Sequence, residues 1–157
     1  MATRSLICKR DSEGVISGVY CHHDGYPDHN GRILQENYKS KNKVGKLLNH
    51  GDMSILDERI SLSKGESHSS YYDKIPGVSL FYHRDRGKEY RGPRPILNDV
   101  VEDGSEVPVY FTPTNLGGIE FVYIYDYTRD DGDWECYEVE PRPEGAILIP
   151  IYSHIYI

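Results

Sequence analysis

The densest chemistry in the chain lies in the run Tyr20-Cys21-His22-His23-Asp24-Gly25-Tyr26-Pro27-Asp28-His29-Asn30-Gly31. It holds three imidazoles, two carboxylates, a thiol and two phenols. Such groups can move protons, hold a metal, or grip a polar ligand. A His22–Asp24 pair has the residue types for base and acid in a hydrolase. His22, His23 and Asp24, completed by His29 or His83, could begin a zinc or iron site. The spacing matches no metal signature such as His-Glu-x-x-His, so no metal and no other cofactor is expected. Cys21 and His22 have the types of a nucleophile and its base, but strand neighbours face opposite sides. Cys21 reads instead as a small buried side chain.

Cations elsewhere supply a partner for this run. Arg84 and Arg86 flank Asp85, after His83. On an extended segment the two arginines share a face, and paired guanidiniums suit phosphate or carboxylate. Arg4 sits among apolar strand residues, where a charge needs a carboxylate such as Asp24, or a ligand. The expected pocket therefore uses Arg4, His22, Asp24, Tyr26, His83, Arg84, Arg86 and Trp134. In it Tyr26 or Trp134 stacks on a base and the arginines hold phosphate. A catalytic role is not assigned to any residue.

The elements that position these residues follow from periodicity. Residues 3–9 and 15–22 flank Asp11-Ser12-Glu13-Gly14, the pattern of a β-hairpin. Val15, Ser17, Val19 and Cys21 alternate with Ile16, Gly18, Tyr20 and His22, and both faces carry apolar residues. Gly25-Tyr26-Pro27 makes a tight turn. Asp28 or Asn30 is placed to cap a helix bearing Ile33, Leu34 and Tyr38. A second helix is predicted over 42–49, and a buried turn or short helix at 53–56. Residues 63–76 have loop composition, and 78–82 form a strand candidate running into 83–87. Val107–Phe111, Ile119–Tyr127, Trp134–Val139 and 146–157 read as strands, with a turn at 129–133. The expected fold is α+β, a mainly antiparallel sheet with short helices on one face, as a single domain over 1–157.

Composition narrows the partners. Lys and Arg number 18 against 25 Asp and Glu, a net charge of -7, which disfavours direct nucleic-acid binding. No apolar run reaches membrane-spanning length. Cys8, Cys21 and Cys136 are odd in number and far apart, which argues against a disulfide framework. The opening Met1–Arg10 lacks an apolar signal core. A cytoplasmic, reducing compartment is expected. Homo-oligomerisation stays open.

Several stretches together carry a resemblance: Thr3-Arg4-Ser5; Tyr20-Cys21-His22-x-Asp24-Gly25-Tyr26-Pro27 with Gly31-x-Ile33-Leu34; Gly51-Asp52-x-Ser54-x-Leu56; and His83-Arg84-Asp85-Arg86-Gly87. The chain resembles a widespread group of small, uncharacterised phage and bacterial proteins. It differs from them at His23, where Trp is common, and in a longer C-terminal tail. The resemblance implies a phage accessory protein acting in host cytoplasm, and no established activity. The expected function is to bind and sequester a small anionic, nucleotide-like ligand, in a phage setting a host immune signal. The alternative is an inhibitor docking an acidic surface, rich in the Asp126–Glu135 hairpin, onto a host protein. A His/Asp-dependent hydrolase is the third reading.

Overall fold

The computed structural model describes residues 2–62, 75–98, 107–109, 118–128, 133–142 and 145–151. Expectations for the polar loop at 63–74, the turn at 129–132 and the tail at 152–157 fall outside these residues.

The opening hairpin forms because Asp11 closes its turn. Its carboxylate accepts from the backbone N–H of Glu13 at 2.9 Å and of Val15 at 3.0 Å, and Gly14 takes φ 81°. The arms are β1 (Arg4–Arg10) and β2 (Val15–Cys21). A wide π-type turn at Pro27–Gly31 leads into α1 (Arg32–Asn37), and α2 (Lys41–Asn49) follows. The chain continues through β3 (Met53–Ile55), β4 (Leu80–Phe81), α3 (Tyr82–Arg86), β5 (Arg94–Asn98) and β6 (Val107–Val109). It closes with β7 (Ile119–Asp126), β8 (Trp134–Arg142) and β9 (Gly145–Pro150).

These strands make one sheet in the order β4-β3-β2-β1-β7-β8-β9-β6, with β5 paired along β2. The architecture is α+β and dominated by the sheet. The sheet is mixed, a correction to the expected antiparallel arrangement: β1 runs parallel to β7 and β2 parallel to β3. The reason is topological. Helices fill the connection after β2, so β3 re-enters in the same direction as β2. Met53–Ile55, expected as a turn or helix, is that strand.

Period-two alternation divides the core. Ile7, Val19, Tyr123, Tyr125 and Trp134 pack with Leu34, Tyr38, Val44, Leu47 and Leu48 of the helical region. On the other face Leu6, Cys8, Ile16, Val122, Ile124, Tyr137 and Leu148 form a second cluster. Tyrosines then tie the helical region down from below. The hydroxyls of Tyr123, Tyr125 and Tyr127 donate to the carbonyls of Gly25, Lys39 and Lys41 at 2.6, 2.7 and 3.0 Å. Among the described residues, no helix is long and apolar enough to cross a membrane.

Candidate functional site

The Thr3-Arg4-Ser5 strand start and the loop after β2 are one unit. Gly25 N–H donates to the Thr3 carbonyl at 2.8 Å. A Cβ at Gly25 would meet that carbonyl oxygen at 2.8 Å and Ser5 Cβ at 2.7 Å, so only glycine fits. Asn30 is fully buried, and its amide donates to Ser5 Oγ at 3.2 Å and Cys21 Sγ at 3.4 Å. Neither Asp28 nor Asn30 caps a helix. The turn at 27–31 has Tyr26 as its N-cap without a side-chain bond, and Pro27 occupies the first turn, where its missing N–H costs nothing. Asn30 is instead the bolt between loop and strand.

The same sheet edge brings in the later motifs. His22 and His23 continue the β2–β3 pairing, donating to the carbonyls of Met53 at 3.1 Å and Ser54 at 2.9 Å. Asp52 accepts Tyr20 N–H at 2.9 Å and binds Arg94 through both oxygens at 2.9 and 3.2 Å. Tyr82 N–H donates to the Asp52 carbonyl at 3.2 Å. Tyr20, Asp52 and Tyr82 thus lie across three neighbouring strand ends, with α3 starting at Tyr82 on the far side of β3 from His22.

His22 is the centre of this ledge. Its Nδ1 is hydrogen-bonded to the Tyr20 hydroxyl at 2.6 Å, and its ring meets the edge of His23 at 4.5 Å. Partial burial holds its pKa below the usual histidine value, and His23, Arg4 and Arg86 push it down further. Burial also raises the Tyr20 phenol, against the pull of Arg4, and raises the Tyr82 phenol, against Arg86. Sequence reasoning missed Tyr20 and Tyr82. Tyr20 was findable, since it shares the His22 face of β2.

The other expected residues divide. Residues 82–86 are helical rather than extended, so Arg84 and Arg86 point about 200° apart around the axis. Arg84 serves the fold. It donates to the carbonyls of Ile60 and Ser79, pairs with Asp85 at 2.7 Å, and lies over the Phe81 ring. Asp85 in turn accepts Phe81 N–H at 2.8 Å, closing the helix start. Arg86 is exposed and lies 5.3 Å from the Tyr82 ring centre. His83 turns elsewhere, bonding the Lys88 carbonyl at 3.0 Å beside Tyr90.

Asp24 adopts φ 56°, a left-handed conformation that Asp tolerates. Among the described residues, the ion pairs join Arg10, Arg84, Arg91 and Arg94 to their carboxylates, and the expected Arg4–Asp24 pair is not one of them. The Arg4 guanidinium lies instead against Gly118, where the lack of a side chain leaves it room: a Cβ there would meet Nη1 at 2.6 Å. Tyr26 is exposed on its loop, 6.0 Å from the His29 ring. Trp134 is wholly buried and donates its indole N–H to the Tyr38 carbonyl at 2.8 Å. It offers no face to a base, because the largest apolar ring went to the core rather than to a ligand wall.

The acidic hairpin also changes character. Asp126 and Glu135 both bind Arg10, at 3.1 Å and 3.0 Å, in a largely buried cluster. These two carboxylates are spent inside the fold. Among the described residues, no three His, Cys, Asp or Glu side chains converge as a metal cluster. No family model, curated protein or solved structure matches this chain.

Proposed function

We propose that the chain binds and sequesters a small anionic, nucleotide-like ligand at the ledge formed by Arg4, His22 and Arg86. The observation that carries this reading is geometric: the β1–β2 register pairs Ser5 with Cys21 and so brings Arg4 beside His22, whose Nδ1 bonds the Tyr20 hydroxyl at 2.6 Å. Two cations beside an imidazole favour its neutral form and offer an anion charge-assisted contacts. The arginines take the ligand's charge, and His22 and Tyr20 add a hydrogen-bonding pair that can turn to suit it. Tyr26 supplies an exposed ring for a base on the adjoining loop. The resemblance to phage proteins sets this binding in an infected cell, where removing a host immune signal is the role it fits. Binding without turnover is the simpler reading, since Nδ1 of His22 is engaged by Tyr20 and not by Asp24.

The test is mass spectrometry of small molecules released from protein purified out of infected cells. Wild-type protein is expected to release an anionic molecule, and Arg4→Ala with Arg86→Ala to lose it. Each lost charge-assisted bond costs roughly 1.5–3 kcal/mol, about tenfold to a hundredfold in affinity. Asp130→Lys with Asp131→Lys is expected to retain the molecule. The opposite pattern would transfer the function to the acidic surface and a basic host protein.

A further inference from the structure

A second basic feature lies apart from the ledge. A cavity of about 470 Å³ opens between α2 and the segment after β3, lined among others by Ser40, Lys43, Lys46, Arg59, Ile60 and Leu62. Among the described residues that line it, three are cationic and none is a carboxylate, and Arg59 also donates to the Ser61 carbonyl at 3.4 Å. Lys43 and Lys46 share one face of α2 by their spacing of three. Lys43 is held in place: its Nζ donates to the Glu58 carbonyl at 3.1 Å and lies 4.5 Å from the Tyr38 ring centre. Ser40 caps the helix by accepting Lys43 N–H at 3.1 Å. That bond uses the hydroxyl oxygen as acceptor and leaves its proton to donate elsewhere.

We infer that this cavity is a second anion-binding site, taking a phosphate group on Lys43, Lys46 and Arg59, with Ile60 and Leu62 against the body of the ligand. Two or more cations that face a common space gain most from a multiply charged group, and phosphate is the compact one. The volume lies within the range of roughly 300–1,000 Å³ that small-molecule sites occupy. Ile60 also anchors Arg84 through its carbonyl, so the cavity wall is fixed to the start of α3 rather than free to collapse.

Amide NMR titration of the full chain with inorganic phosphate, and separately with AMP, tests the site. Saturable shifts are expected for the amides of 41–46 and 59–62. Lys46→Gln, at an exposed position, is expected to fold normally and to weaken binding about tenfold. Lys43→Gln is a second variant, with the same expected direction. Arg4→Ala with Arg86→Ala is expected to leave these shifts unchanged, which separates this site from the ledge. Tighter binding of AMP assigns the ligand to phosphomonoesters and equal binding to free phosphate; both uphold the site. Absent or non-saturating shifts, indifference to Lys46→Gln, or loss on removing Arg4 and Arg86 would each overturn it.

Discussion

Arg84 and Arg86 stand two positions apart and serve different ends. Arg84 satisfies two backbone carbonyls and a carboxylate, so Arg84→Ala is expected to cost about 2 kcal/mol in urea unfolding. Arg86 is exposed, and Arg86→Ala is expected to stay within about half a kcal/mol. Equal losses would show that the short helix does not separate their roles. His22 provides a direct readout of the ledge. Its folded pKa lies below the unfolded value of 6.5. The unfolded state therefore binds more protons as pH falls through 6.5, and His22 subtracts stability there, fully so below its folded pKa. An anion bound between the arginines reverses the repulsion. NMR titration of the imidazole is expected to move upward when ligand is added, and an unmoved titration would place the ligand elsewhere.

At the scale of elements, the loop after β2 is a clamp on the first strand. Gly25→Ala is expected to cost about 1–3 kcal/mol, because its methyl group strikes the Thr3 carbonyl. It should weaken ligand binding as well, by displacing Arg4 from His22; a stability loss with full binding would detach the loop from the site. Much of this was legible. Asp11 and Gly14 marked the hairpin, and the spacing of Val44, Leu47 and Leu48 marked α2. Two things were hidden. The helical state of 82–86 rests on Asp85 closing the Phe81 N–H and on Gly87 at φ 64°, which a five-residue segment barely announces. The fate of Asn30 depended on Ser5 and Cys21, and local spacing carries no trace of such distant partners.

For the whole molecule, the Arg10 cluster joins β1, β7 and β8 and sets the response to acid. Burial opposes ionisation of Asp126, but bonds from Thr128 and Arg10 outweigh it and hold the carboxyl below its ordinary 3.8. Its contribution is present above pH 3.8 and is lost as pH falls through the folded pKa. Asp126→Asn is expected to lower stability at neutral pH by about 2 kcal/mol and to flatten the acid limb of the stability curve. An unchanged acid limb would assign acid sensitivity to other carboxylates. The tyrosines that tie down the helical region have a consequence at the opposite end of the pH scale. Burial raises the Tyr38 phenol to about 12 and the Tyr123 phenol beyond the ordinary range. A raised phenol stabilises the fold below its unfolded value of 10 and ceases to as pH climbs through the folded value. These hydroxyls cannot ionise while their protons are held by backbone carbonyls. Alkali should therefore raise the tyrosinate absorbance of these two buried phenols abruptly, simultaneous with loss of the sheet's circular dichroism. The protein carries its own colorimetric reporter of collapse, needing no dye and no label.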